Sequence, residues 1–278
     1  MRHLPQPNIG HRELFIRCAR QTAAQNARQS LLAMVDRIVA AGERYNTAAG
    51  ANEFYAVASI QMDDNEKNII QELYDRRMAS VSGSGRSSYD LIRASSAICP
   101  YCSFGEVCEI DHFLPKKAFP DLNVLPINLL PICHHCNHLK LDAKPLNEEQ
   151  TLLHPYFDVL PHTQRWLFAT LTIEFEGPVL NYFVQLDEAT HGLLSRRLQF
   201  HFNQLRLSSR FSVRSATVLA ELEADIEMHL ERLGADGITD HFNSMALRSF
   251  KLHGNTFEGA AYFAAAQSLQ YCQGAWRN

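Results

Sequence analysis

The sequence predicts a mainly α-helical protein that carries a small metal-organised module and an added β-hairpin. Three patterns lead there. Apolar residues recur at three- and four-residue steps towards both ends of the chain, as in helices with one buried face. Four cysteines fall into two C-x-x-C pairs near the middle, a spacing that grips a metal from tight turns. Between residues 169 and 186 apolar and polar residues alternate about Gly177-Pro178, the period of a half-buried hairpin.

Taken in order, Glu13 to about Ala41 reads as one helix, with Ala24, Ala27, Leu31, Val35 and Ile38 on its apolar stripe and Gly42 as its stop. A second helical stretch runs from about Asn52 to Met78, broken near Asp63-Asp64, with Asp64 as a cap. Ser80 to Ser88 is rich in Ser and Gly and reads as a linker, which closes an N-terminal helical region at residues 1–85. Residues 86–160 form the second region, whose stretch from Tyr89 to about Pro145 is dense in Cys, His, Pro and Asn. Residues 161–278 hold the hairpin and then helices at about Glu188–Phe202, Ser209–Leu233, Asp240–Leu252 and Thr256–Gln273, with Gly234 and Gly254 as stops.

Composition narrows the function classes. A hydrophobic content of 46% with 20% charged residues fits a globular chain with an adequate core and excludes a disordered one. A net charge of −4 means that any nucleic-acid binding comes from local patches. The N-terminus lacks the apolar stretch of a signal peptide, and no run of 18 apolar residues occurs, so no membrane partner is expected. Seven cysteines, an odd number, fit reduced thiols and metal better than a disulfide scaffold, which points to the cytoplasm.

The pairs are Cys99-Pro100-Tyr101-Cys102 and Cys133-His134-His135-Cys136. Together they supply the four thiolates of a closed tetrahedral Zn²⁺ site, with His134 and His135 as alternative ligands and Cys108 as a small core residue. A closed four-cysteine site leaves no position for water, so this zinc folds the module and the chemistry falls to residues between the pairs.

Between the pairs stand Asp111-His112, then Pro115-Lys116 and Asn128-Leu129, and just beyond the second pair come Asn137 and, three places on, Lys140. In order and spacing this pattern, from Cys99 to Lys140, resembles the HNH endonucleases. The resemblance implies a ββα-metal fold of two short strands and a helix around one catalytic divalent ion, acting on DNA. It makes His112 the general base and Asn128 the brace of its loop, and gives Asn137 the last metal-binding position, where many relatives carry a histidine. The residue chemistry agrees: an imidazole titrating near neutrality suits proton abstraction from water. The oxygens of Asp111 and Asn137 suit a hard cation, Mg²⁺ or Mn²⁺. Adjacent strand residues point to opposite faces, so Asp111 and His112 serve one site only if the strand ends or bends there. Downstream, His154-Pro155-Tyr156-Phe157-Asp158 has no assigned chemistry.

Basic and acidic residues balance between Arg86 and Lys144, so the core does not hold DNA by charge. Arg196, Arg197, Arg206, Arg210 and Arg214 are the candidate phosphate contacts, with Lys116 and Lys117 and the arginines of the N-terminal helix behind them. The acidic helix from Ser215 to Leu233 suits a protein partner. A single site of this kind cuts one strand, so double-strand cleavage needs a homodimer or two nicks. The resemblance extends to effector nucleases of bacterial antiphage systems, which work beside an ATPase. The rival readings are a non-catalytic zinc module that recognises nucleic acid or protein, and an RNA-cleaving enzyme.

Overall fold

The stretch expected as one N-terminal helix is three helices in the computed structural model, which describes residues 1–142 and 144–277. They are α1 (His11–Arg20), α2 (Gln25–Ala33) and α3 (Val35–Gly50). The chain turns after Gln21 and again at Met34, so Leu14, Phe15 and Cys18 of α1 share one core with Leu31 of α2 and Ile38 of α3. Gly42 does not stop a helix. It lies inside α3, where a Cβ would stand 2.6 Å from the Nδ1 of His11, so its glycine permits close packing.

α4 (Asp64–Leu73) is capped by Asp63 rather than Asp64. The Asp63 carboxylate accepts the Glu66 N–H at 2.7 Å, and Glu66 accepts the Asp63 N–H at 3.2 Å, a capping box. The helix then widens into one π-helical turn, Tyr74–Ala79, a distortion that recurs at functional sites. The expected linker at Ser80–Ser88 is packed rather than free. Ser84 N–H donates to Gln21 Oε1 at 2.7 Å, Gly85 N–H to the Arg77 carbonyl at 2.8 Å, and a Cβ on Gly83 would meet that carbonyl at 2.2 Å. Its last residues already belong to α5 (Arg86–Ala94).

The cysteine-rich stretch is more regular than its composition implies. β1 (Glu109–His112) pairs antiparallel with β2 (Leu129–Ile132), setting Asp111 opposite Leu130 and His112 opposite Leu129. α6 (His134–Lys140) follows. All of these elements belong to one unit of the chain, Met1–Val159; the second unit is Leu160–Asn278.

In the second unit β3 (Leu167–Glu174) pairs with β4 (Gly177–Val184). The turn is Phe175-Glu176, and Gly177, at φ 127°, opens β4 instead of forming the turn as expected. The helices are α7 (Glu188–Gln204), α8 (Leu207–Arg214), α9 (Ala216–His253), α10 (Phe257–Ala266) and α11 (Leu269–Cys272). The helix expected over Ser209–Leu233 is interrupted at Ser215, whose buried hydroxyl bonds Tyr182 of β4. Gly234, at φ 67°, breaks α9 into two arms with no loop between them, and Gly254, at φ 70°, ends it. Among the described residues no helix is long and apolar enough to cross a membrane.

Candidate active site

Two turns and a helix start bring the cysteines together. Cys99 and Cys102 lie on one knuckle, and Cys133 caps α6, accepting the Cys136 N–H at 3.4 Å. All four are buried, and their sulfurs lie within 4.8 Å of one another, the Cys102 and Cys133 sulfurs 3.9 Å apart. A zinc tetrahedron with bonds of about 2.3 Å has edges of about 3.8 Å, and a disulfide would need about 2.05 Å. The donor set therefore fits a structural zinc ion. Gly105 closes the cage: its N–H donates to Cys102 Sγ at 3.4 Å, and a Cβ there would stand 2.9 Å from Cys133 Sγ. Hydrogen bonds among the crowded thiols pull the pKa of Cys102 down and push that of Cys136 up. His134 is exposed, 3.3 Å from Glu109, and stands outside the sulfur group. His135 is also exposed, and Cys108 is exposed rather than a core residue.

β1 delivers Asp111 and His112 and ends there. Alternation along the strand buries His112 with Ile110 and leaves Asp111 partly open beside Glu109. The imidazole Nε2 lies 2.9 Å from the Asn123 carbonyl. A carbonyl only accepts, so Nε2 carries the proton and Nδ1 carries the lone pair. Among the described residues Nδ1 has no hydrogen-bond partner. Burial lowers the pKa of His112 to about 4, against the smaller opposing effects of Asp111 and the Asn123 bond. Tyr74, on the π-helical turn, packs its ring edge-on to the imidazole with centroids 4.5 Å apart.

Lys140, at the end of α6, is buried and bridges both residues. Its ammonium donates to the His112 carbonyl at 2.6 Å and lies 2.8 Å from Asp111 Oδ2. Asn137 stands three residues earlier on α6, hence on the same helical face. Its side chain has no contact with Asp111 or His112 among the described hydrogen bonds. Asn128 is fully buried: its Oδ1 accepts the Leu114 N–H at 2.8 Å, and its amide donates to the Leu114 and Leu122 carbonyls at 3.2 and 3.3 Å. These bonds tie β2 to the loop that follows His112.

His154 is a packing residue. Its Nδ1 accepts the Tyr156 N–H at 3.2 Å, so Nε2 bears the proton toward Tyr45 Oη at 3.0 Å. Its ring stacks on Phe54 and touches Phe113, next to His112, while the Tyr156 hydroxyl donates to the Leu129 carbonyl. Lys116 is tethered to Asp75 at 2.8 Å and lies over the Tyr74 ring; Lys117 is exposed, 3.6 Å from Asp142. Sequence reasoning did not find Tyr74 or Asn123, which come from segments with no motif.

The expected arginine patch is smaller than its spacing implies. Arg197 is buried, 1% exposed, and cannot reach a phosphate; Arg196 is paired with Glu188 at 2.7 Å. On the N-terminal helices Arg12 pairs with Asp36 and Arg37 with Glu66.

No protein-family model matches this chain, and no solved structure matches it. It is similar to protein ea31 of Escherichia phage lambda, at 23% identity over 234 residues, which cover 80% of this chain and 79% of the relative. It is also similar to Septu protein PtuB of Bacillus thuringiensis, at 33% identity over 81 residues, 27% of this chain. The match spans about a third, 32%, of the length of that second relative.

Proposed function

We propose that the protein is a metal-dependent endonuclease of the HNH type that hydrolyses phosphodiester bonds in DNA. The observation that carries this reading is the His112 imidazole, held by the Asn123 carbonyl so that Nδ1 keeps its lone pair, at the end of the strand that bears Asp111. Nδ1 takes the proton from the attacking water. Burial keeps the ring neutral at physiological pH, at some loss of basicity. Asn128 fixes the loop behind it, and Tyr74 fixes the ring plane. The Asp111 carboxylate is held by the Lys140 ion pair at Oδ2 and by no hydrogen bond among the described residues; its other oxygen and the Asn137 amide offer hard oxygen donors that suit Mg²⁺ or Mn²⁺. Such an ion, when bound, stabilises charge on the leaving 3′-oxygen. The cysteine clasp holds zinc and takes no part in the reaction.

Phosphate contacts fall to Lys116 beside the site and to Arg206, Arg210 and Arg214. The motif's resemblance to effector nucleases of antiphage systems, and the similarity to Septu protein PtuB, support a role in defence beside an ATPase partner. The occurrence of a related protein in a phage is compatible with the same chemistry in a different host of genes.

One observation favours a second reading, a zinc-organised module that binds nucleic acid without cutting it: the Lys140 ammonium already neutralises Asp111. Incubating zinc-loaded protein with supercoiled plasmid, single-stranded DNA and total RNA, in Mg²⁺ or Mn²⁺, separates the readings. Nicked or linear plasmid is expected. Cleavage of RNA alone would move the substrate class, and retarded but intact nucleic acid under every condition, with a candidate ATPase included, would favour the binding module.

A further inference from the structure

Lys140 has a narrower task than lining a basic site. Its side chain is only 2% exposed, and its ammonium is committed to two acceptors, the His112 carbonyl at 2.6 Å and Asp111 Oδ2 at 2.8 Å. A buried ammonium is stable only against fixed, complementary partners. Oδ2 is therefore engaged by the Lys140 charge, in an ion pair rather than a hydrogen bond, and the other Asp111 oxygen has neither an ion pair nor a hydrogen bond among the described residues. The position of the ammonium is set from both ends of a short helix: α6 starts at the cysteine clasp through Cys133 and Cys136 and ends at Lys140.

We propose that Lys140 is a specificity-determining residue that makes Asp111 a one-oxygen ligand and so selects a small octahedral cation, Mg²⁺ or Mn²⁺, against Ca²⁺. This rests on the reading of Asp111 as a ligand. Ca²⁺ fills six to eight positions and commonly takes both oxygens of a carboxylate, whereas Mg²⁺-like ions take single oxygens and keep their waters. The lysine on Oδ2 withholds the second oxygen. Its charge also repels any divalent ion at Asp111, and that repulsion is least compensated for the ion that needs both oxygens. A lysine that only tied α6 to β1 would have no such selectivity, and its loss would loosen the site for both ions alike.

Calorimetric titration of the zinc-loaded full-length protein with MnCl₂ and with CaCl₂ tests this, zinc content and melting temperature serving as fold controls. Wild type is expected to bind Mn²⁺ about tenfold or more tightly than Ca²⁺. In Lys140→Gln, which keeps a donor for the His112 carbonyl but no charge, both ions are expected to bind more tightly, with Ca²⁺ gaining more. Lys140→Arg is expected to keep the wild-type preference. The proposal is overturned if wild type binds Ca²⁺ as tightly as Mn²⁺, or if the folded Gln variant keeps the ratio or weakens both ions equally. Should the Gln variant fail to retain zinc, the wild-type ratio and the Arg variant decide. Asp111→Asn separates the two levels: if it leaves Mn²⁺ binding unchanged, the assignment of the ion to Asp111 falls as well, whereas a failed ratio with Asp111-dependent binding removes only the role of Lys140.

Discussion

Single residues at the site are defined by what their backbone neighbours accept or donate. Asn128 satisfies three backbone groups from a fully buried position. Asn128→Ala would strand the Leu114 N–H and carbonyl in the interior, and chemical denaturation is expected to show a loss of about 3 kcal/mol; a loss below about 1 kcal/mol would mean the loop reorganises freely. The cysteines, Asp111, His112, Asn128 and Asn137 could be picked out in the sequence because motif order and spacing carry them. Burial could not. Arg197 stands in a run of arginines yet lies in the core, since charge spacing does not reveal which side of a helix faces inward. His154 has no assigned chemistry in the sequence, and the structure gives its two ring nitrogens to Tyr156 and Tyr45.

Among the secondary-structure elements, the sequence reading succeeded where punctuation is chemical and failed where it is geometric. The hairpin and the Gly254 stop follow from alternation and from a residue that takes positive φ at little cost. The turn at Met34 contains neither Gly nor Pro, so one apolar period ran across three helices. The Ser/Gly composition at Ser80–Ser88 looked like a linker because the packing that needs its glycines involves residues distant in sequence: a Cβ on Gly85 would stand 2.8 Å from the Cys18 sulfur. Limited proteolysis is accordingly expected to spare Ser80–Ser88, and rapid cleavage there would contradict its packing. At the knuckle, Gly105→Ala is expected to lower zinc occupancy on metal analysis, because its methyl would press on Cys133 Sγ and Cβ at 2.9 and 3.0 Å; full zinc retention would show that the cage yields.

At the scale of the whole molecule, stability is expected to depend on zinc at the cysteine cluster and on pH. Four buried thiols without a cation are a liability, so a chelator is expected to lower the melting temperature of the Met1–Val159 unit while the transition of the Leu160–Asn278 unit stays in place. A single transition that is indifferent to chelation would contradict a folding role for zinc. His11 and His112 both have their pKa lowered from 6.5 to about 4, chiefly by burial. The unfolded chain therefore binds more protons between those values, and stability is expected to be full above about pH 6.5 and to fall as pH drops toward 4. For His112 alone the loss is about 3 kcal/mol. Melting temperatures that do not change between pH 7 and pH 4.5 would contradict that burial.

The central claim is a division of labour, in which the cysteines hold the fold and His112 performs the chemistry. Plasmid nicking in Mn²⁺ by wild type and by His112→Ala, each with its zinc content measured in the same preparation, tests it most directly. The account predicts nicking by wild type and a fall of at least about a hundredfold in the variant at unchanged zinc. Equal nicking by both zinc-loaded proteins would contradict it.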